Sequence, residues 1–500
     1  MKNRNTLFTT ILVTLAFFAL LQKIQATDLG GVLPGNNTAD GFAVLFSLTT
    51  GFDNSGFGYQ ALSRNSTGQH NTAIGFQALD NNSAGASNTA AGSQALWANT
   101  TGDQNTATGL QALYANNGSA NTATGFGALL NNTTASGNTA TGYQALYENL
   151  GGSGNTATGY QALYSNTTIS GLSGIDNTAT GFQALFLNTT GSSNTAMGSF
   201  ALSENLRGSG NTANGYRALQ GNTTGINNTA NGVDTLFLNN GNQNTGDGVA
   251  ALHQNTTGNY NTANGYQALY FNQAGSNNTA NGSNALLHNT GSNNVAVGSS
   301  AGINLTTGSN NINIGAPGVA AESAKIRIGK QGTQNGTFIA GIYGIAGTGS
   351  QVVVNSSGKL GVTASSARFK DEIKPMDKAS EAILALKPVT FRYKSQVDPE
   401  RSRQFGLVAE DVEKVNPNLI VRDPDGKPYT VRYEAVNAML LNEFLKAHRK
   451  IEQQERDLEQ QKTTIAKQQK QIEALTAGLQ RVSDQLELSK PAPQVAGNNQ

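Results

Sequence analysis

From Asn37 to about residue 316 the polar and apolar positions of this 500-residue chain recur at a fixed step. The nonamer Asn-Thr-Ala-x-Gly-x-x-Ala-Leu begins at Asn71, Asn88, Asn105, Asn121, Asn138, Asn155, Asn177, Asn194, Asn211, Asn261 and Asn278. A copy at Asn228 carries Thr235 for its second alanine, and looser copies begin at Asn37, Asn54, Asn244, Asn294 and Asn311. The step is 17 residues, occasionally 16, with one step of 22 between Asn155 and Asn177 that places an insertion around Ser165 to Asp176. So short and regular a period predicts a β-solenoid, one coil per repeat, with two strands per coil separated by Asn/Gly/Ser/Thr turns. In Asn294-Val-Ala-Val-Gly298 and Asn311-Ile-Asn-Ile-Gly315 the second and fourth positions accept Val and Ile as well as Thr. Strand alternation sets those two positions on one face and the small Ala and Gly on the other. Leu at the ninth position, as in Leu113, Leu146 and Leu163, is the expected core anchor. No proline interrupts the chain between Pro34 and Pro317, as a continuous ladder requires.

The pattern changes after the array. Ile326-Arg-Ile-Gly329, Phe338-Ile-Ala-Gly-Ile342 and Val352-Val-Val354 predict a β-rich connector over 317–362. Glycines 341, 344, 347 and 349 lack nucleotide-loop spacing. Beyond it the reading is a helix over 378–386, strands over 389–393 and 405–408, and a helix over 410–415. Strands at 419–422 and 429–432 follow, across the turn Asp423-Pro-Asp-Gly426. From about Glu434 one helix runs to Lys490, and in it Ile451, Leu458, Ile465, Ile472, Leu479 and Leu486 recur every seven residues. Three positions on from the first five lie Gln454, Gln461, Gln468, Leu475 and Val482. That heptad seam predicts a coiled coil, read as a parallel trimer rather than a dimer, with Gln layers that symmetric chains can bond together. Gly478 is its local weak point.

Charge divides the chain at the same place. Of the 63 Lys, Arg, Asp and Glu, 42 lie beyond residue 362. The formal net charge is +1, with no basic stripe, which excludes an electrostatic nucleic-acid binder. Glycine, at 59 residues, is well above ordinary usage, and cysteine is absent, so thiolate and disulfide chemistry are excluded. His70, His253 and His288 share no repeat position, so no metal site and no cofactor are expected. Lys2 and Arg4 precede an apolar run from Phe8 to Leu21 and a small residue, Ala26. This reads as a cleaved signal peptide over 1–26, hence export, with no transmembrane anchor beyond it.

Two resemblances follow from these residues. The array is similar to the heads of trimeric autotransporter adhesins, which implies a trimeric parallel β-roll; their membrane barrel has no counterpart in this charged C-terminus. Ser365-Ser-Ala-Arg-Phe-Lys370-Asp-Glu-Ile, Leu386-Lys-Pro-Val-Thr-Phe391, Phe405-Gly-Leu-Val-Ala-Glu-Asp411 and Val431-Arg-Tyr433, closed by the heptad helix, resemble the intramolecular chaperone of endosialidase family, peptidase family S74. The resemblance implies homotrimerisation, fibre assembly and release of the domain by a serine–lysine dyad. Carried over, Ser365 is the nucleophile, Lys370 the base and Ala364–Ser365 the scissile bond. Ser366 stands where the family often has Asp, which leaves Ser366 as the other candidate nucleophile. His448 reads as a heptad flank rather than a third catalytic group.

The expected whole is a mainly β protein. It comprises a solenoid over 37–316, a stem over 317–362, an α+β chaperone core over 363–436, a coiled coil over 437–490 and a disordered tail over 491–500. Near-identical coils cannot define register, so an irregular C-terminal trimer must align the chains before the ladder zips. The expected role is an exported, adhesin-like homotrimeric surface fibre whose partners are itself and a host or cell-surface ligand. Its only peptidase activity is a single self-cleavage. The alternative is an ice-binding or other ligand-binding solenoid with an uncleaved trimerisation domain. It rests on Thr-Ala-Thr at Thr106, Thr122, Thr139, Thr156 and Thr178, and weakens where Asn214, Asn231, Asn264 and Asn281 replace the second threonine.

Overall fold

The computed structural model describes residues 31–169, 172–334, 336–339, 349–355, 357–423 and 425–489. The signal-peptide and tail expectations lie outside these residues, as does most of the segment around Ile342. The chain divides into two units, 1–338 and 339–500, described separately below.

In the first unit each repeat places one three-residue strand in a 19-stranded sheet. Successive strands are parallel and in register, Thr139-Ala-Thr141 beside Thr156-Ala-Thr158, then Thr178-Ala-Thr180. Along each strand the threonines face out and the alanine is buried. That central alanine, the second alanine and the following leucine stack coil upon coil into one continuous core; Ala140, Ala145 and Leu146 are fully buried. A coil offers little core by itself, so its stability depends on neighbours above and below. Across the 22-residue step the sheet stays in register. The extra residues leave it as a small excursion in which Thr168–Ile169 pairs antiparallel with Leu172–Ser173.

Among the described residues no strand forms at the expected Gln-Ala-Leu-Tyr segment, and a second strand appears just beyond it in two coils only, where Glu148–Asn149 pairs parallel with Ser165–Asn166. Gln-Ala-Leu is a turn in which Gln144 (φ 52°) and Leu146 (φ 51°) take left-handed conformations. A left-handed non-glycine residue costs on the order of 1 kcal/mol. The stack offsets it: the Leu146 N–H donates to Ala162 O of the next coil (3.0 Å), and the Gln161 N–H donates back to Tyr143 O (2.9 Å). The glycine before this turn is required twice over. Gly142 has φ 133°, and a Cβ there would sit 2.4 Å from the Gly159 carbonyl oxygen.

Two asparagine columns run through the interior. In the first, Asn211 Oδ1 accepts from the Asn228 backbone N–H (2.9 Å) and Nδ2 (3.1 Å), while Asn211 Nδ2 donates to Gly225 O (2.9 Å). In the second, Asn82 Nδ2 donates to Asn65 Oδ1 (2.7 Å) and Gly85 O (2.8 Å). Members of both columns are fully buried, and each coil supplies the bonds that make such burial tolerable. Outside, aromatic rings stack in line: Phe126, Tyr143, Tyr160 and Phe182 lie 5.2, 5.0 and 5.1 Å apart and nearly parallel.

The ends are finished differently. Gly31–Leu33 pairs antiparallel with Asn37–Asp40 at the start. At the finish Ile326–Ile328 pairs parallel with Ile312–Ile314, so the sheet runs on past residue 316.

The second unit begins with Val353–Val354 paired antiparallel to Leu360–Gly361. A 3-10 turn, Ala367–Phe369, and a longer 3-10 run, Asp377–Ala385, replace the expected α-helix over 378–386. Two hairpins follow, Val389–Phe391 with Gln404–Gly406 and Ile420–Arg422 with Pro428–Val431. Between the hairpins lies helix α1, Ala409–Val415. Helix α2, Tyr433–Leu488, spans 56 residues, about 84 Å. The buried core of this unit is five side chains, Val412, Leu419, Ile420, Val431 and Met439. Ser380 ties the 3-10 run to α2: its Oγ bonds Glu443 and accepts from Asn442 Nδ2 (2.7 Å), and Lys446 Nζ lies 2.7 Å from Glu443 Oε1.

Candidate functional site: a serine–lysine pair and an uncovered seam

The turn Ala367–Phe369 sets the geometry at the head of the second unit. Its backbone closes through Phe369 N–H to Ser366 O (3.1 Å) and Lys370 N–H to Ala367 O (3.0 Å). This single turn folds Lys370 back on the residues before it. Lys370 Nζ donates to Ser365 Oγ at 3.5 Å, and no hydrogen bond joins Lys370 to Ser366. Both partners are exposed, as are Ala364, Phe369 and Ile373 around them. Arg368 lies over the Phe369 ring, 4.6 Å from its centre. A lysine becomes a general base only where burial strips its ammonium of water. In one chain, then, the pair is positioned and unshielded.

The seam residues lie along α2. Ile451, Leu458, Ile465, Ile472, Leu475, Leu479, Val482 and Leu486 are all exposed. Phe444, seven residues before Ile451, and Leu440, at the intermediate position, carry the same spacing further toward the start of the helix and are also exposed. The expected coiled coil over 437–490 includes both residues, although the seam named from the sequence begins at Ile451. His448 sits on the flank, 3.8 Å from Glu452 Oε1, and not beside Ser365 or Lys370 among the described contacts.

In the solenoid the threonine rows face outward, and none of the strand-face hydroxyls from Thr72 to Thr279 takes part in a hydrogen bond among the described residues. The turn threonines differ: Thr133 Oγ1 donates to Leu150 O at 2.7 Å. His253 is stacked between Phe237 and Tyr270. Burial lowers the pKa of its imidazole, outweighing the attraction of Asp234. Among the described residues no cluster of His, Asp and Glu could hold a metal ion, and no helix is long and apolar enough to cross a membrane.

Sequence reasoning missed both asparagine columns as buried ladders. The signal of the second, an Asn at the same offset in nearly every turn, was present but reads equally well as ordinary turn composition.

Residues 365–421 match the family described as chaperone of endosialidase, Peptidase_S74. No curated protein matches the chain. The match begins at Ser365 and ends in the second hairpin, so the C-terminal unit of this β-solenoid protein carries a Peptidase_S74 chaperone domain.

Proposed function

We propose that this protein is an exported homotrimeric fibre whose C-terminal unit aligns three chains and is then cut away by Ser365. The observation that carries the reading is the uncovered seam of α2. Only the first turns of this 56-residue helix pack on the unit, and from Ile451 on its apolar side chains recur at strict heptad spacing and all face solvent. Its five-residue core is too small to compensate. Three parallel copies would cover the seam and let Gln454, Gln461 and Gln468 bond one another.

Assembly also supplies what the serine–lysine pair lacks. Packing of copies around Phe369 and Ile373 would remove water from Lys370. The neutral amine then takes the Ser365 hydroxyl proton as Oγ attacks the Ala364 carbonyl carbon. The Ala364–Ser365 C–N bond breaks, the new Ser365 amine takes the proton back, and water hydrolyses the ester between Ala364 and Ser365 Oγ. Attack on the adjacent carbonyl is intramolecular, so no substrate pocket is needed. The 3.5 Å contact supports Ser365 over Ser366 as nucleophile. Removal of the aligning unit would leave a fibre that cannot retrace its route, its stability then kinetic.

The proposed divisions are a signal segment over 1–26, fibre over 37–316, stem over 317–362, chaperone core over 363–436 and coiled coil over 437–490. The external role is adhesion or surface structure. The test is the mass of the secreted product beside Ser365→Ala and Lys370→Met. The wild type is expected to end at Ala364 and both variants to stay joined. An uncut wild-type chain removes the peptidase claim.

A further inference from the structure

In three successive coils the run Gly-Tyr-Gln-Ala-Leu-Tyr, or its Phe form, is complete, beginning at Gly142, Gly159 and Gly181. Its first aromatic position stacks Tyr143, Tyr160 and Phe182 at 5.0 and 5.1 Å, and its second stacks Tyr147, Tyr164 and Phe186 at 5.1 and 5.2 Å. The glutamines form a third ladder: Gln161 Nε2 donates to Gln144 Oε1 and Gln183 Nε2 to Gln161 Oε1, both at 2.9 Å. A side chain at the glutamine position lies between the two aromatic columns. Where that residue is Arg217, its guanidinium is 5.0 Å from the ring centres of both Tyr216 and Phe237. The three columns are therefore neighbours on one face of the solenoid. From Phe126 to Ser203 they contain no Lys, Arg, Asp or Glu. Tyr143 and Tyr160 are each 43% exposed. Gly127 leaves the middle column without a side chain at one end of this lane. At the other end Phe200 takes the glutamine position and stands edge-on to Phe182, at 71°.

We infer that this lane binds an extended, neutral glycan of β-1,4-linked hexopyranoses, laid along the stack of coils with one sugar to a coil. That ligand class rests on the surface-fibre reading above and says what such a fibre holds. The step of the lane selects among extended polymers. A polypeptide strand advances about 3.3 Å per residue and a nucleic-acid strand about 3.4 Å per nucleotide. Neither stays in phase with rings 5.0–5.2 Å apart. A β-1,4-linked chain advances by one pyranose ring and its bridging oxygen per sugar, which is close to the coil step, so each sugar meets the same three side chains. An α-1,4-linked chain curls and loses that phase. Charge agrees with this choice, because a face without ionic groups complements an uncharged ligand and gives a sulfated or sialylated chain no counter-ion. The polar groups agree as well. Each ladder carboxamide spends one N–H and one lone pair on its neighbours and keeps another of each for sugar hydroxyls. The rings supply apolar contact for the sugar C–H groups, and stacking holds them in place before the ligand arrives, which lowers the ordering cost.

The test is calorimetric titration of the full chain with cellohexaose and chitohexaose, and with maltohexaose as the α-linked control. The variants are Tyr160→Ser and Gln161→Gly. The chain already carries these residue types in the same columns, at Ser93, Ser199 and Gly127, so a coil accommodates them. Tyr266→Ser removes a ring of the first column outside the lane. At least one β-linked hexamer is expected to bind, and maltohexaose roughly tenfold more weakly or not at all. Tyr160→Ser is expected to weaken the β-linked hexamer roughly tenfold, Gln161→Gly by less, and Tyr266→Ser not at all. Binding of neither β-linked hexamer, equal binding of maltohexaose, or an affinity unmoved by Tyr160→Ser overturns the inference. Threefold mass by light scattering alongside any of these leaves the fibre reading standing. Wild-type single chains that bind the hexamer overturn the trimer and keep the lane. A fall in particle mass on Tyr160→Ser, without a change in hexamer affinity, would assign the lane to contact between copies and overturn the glycan.

Discussion

Asn211 shows how much of the solenoid depends on one side chain type. Its carboxamide accepts two bonds from Asn228 and donates to Gly225 O, all in a dry interior. Asn211→Ala leaves the buried Asn228 backbone N–H without a partner, at about 1–3 kcal/mol, and removes one of the two donors to Gly225 O, which keeps Asn222 Nδ2. Chemical denaturation is expected to show a loss in that range or somewhat above it, with hydrogen exchange quickest in the adjoining coils. Asp80 presents the opposite case. Burial raises its carboxyl above the usual range, against partial opposition from the Arg64 guanidinium. A raised folded pKa means the folded form holds more protons, so stability falls as pH rises through that window. The penalty is complete above the folded pKa and absent below the unfolded one. Asp80→Asn is therefore expected to stabilise the protein at neutral pH and flatten the acid side of its stability profile, followed by thermal melts across pH.

At the scale of one coil, the core is a leucine and two alanines held between identical neighbours. Leu146→Ala is expected to cost about 2–5 kcal/mol, because a rigid stack closes poorly around the lost atoms. Gly142→Ala is expected to disrupt the stack at that coil, since no shift of a flexible side chain can relieve contact with a backbone carbonyl. Circular dichroism and melting of the two variants check both. The strand, the Leu anchor and the division of Thr and Ala between opposite faces were legible in the sequence, because alternation and an exact period leave few other arrangements, but which face turns inward was not. Gln144 and Leu146 were not: their left-handed conformations are disfavoured residue by residue and arise only from bonds to the coils on either side. For the same reason a second strand was expected where a turn stands. In the second unit the hairpins and α2 were readable to within a few residues. The 378–386 segment was not, because its 3-10 form is held by Ser380, Asn442 and Glu443, distant in sequence. Of the candidate site, the spacing of Ser365 and Lys370 was legible. Their approach depends on the turn between them, which no periodicity announces.

The whole molecule faces a problem of register. In the proposed trimer, three near-identical ladders displaced by one coil would keep nearly all their contacts, so the array alone would leave several alignments close in energy. The irregular C-terminal unit, with its uncovered seam, removes that degeneracy if it gathers the chains first. Ile465→Asp puts like charges at the centre of the seam, and is expected to yield single chains or misassembled material that retains Ala364–Ser365 uncut. Gel filtration with mass spectrometry of the product checks this. The most direct measurement is the light-scattering mass of the full chain beside a form ending at Val362. Three chains per particle are expected for the first, and single or heterogeneous, aggregated species for the second. A full chain that is monomeric, or a truncated form that still makes uniform threefold rods of correct length, would contradict it.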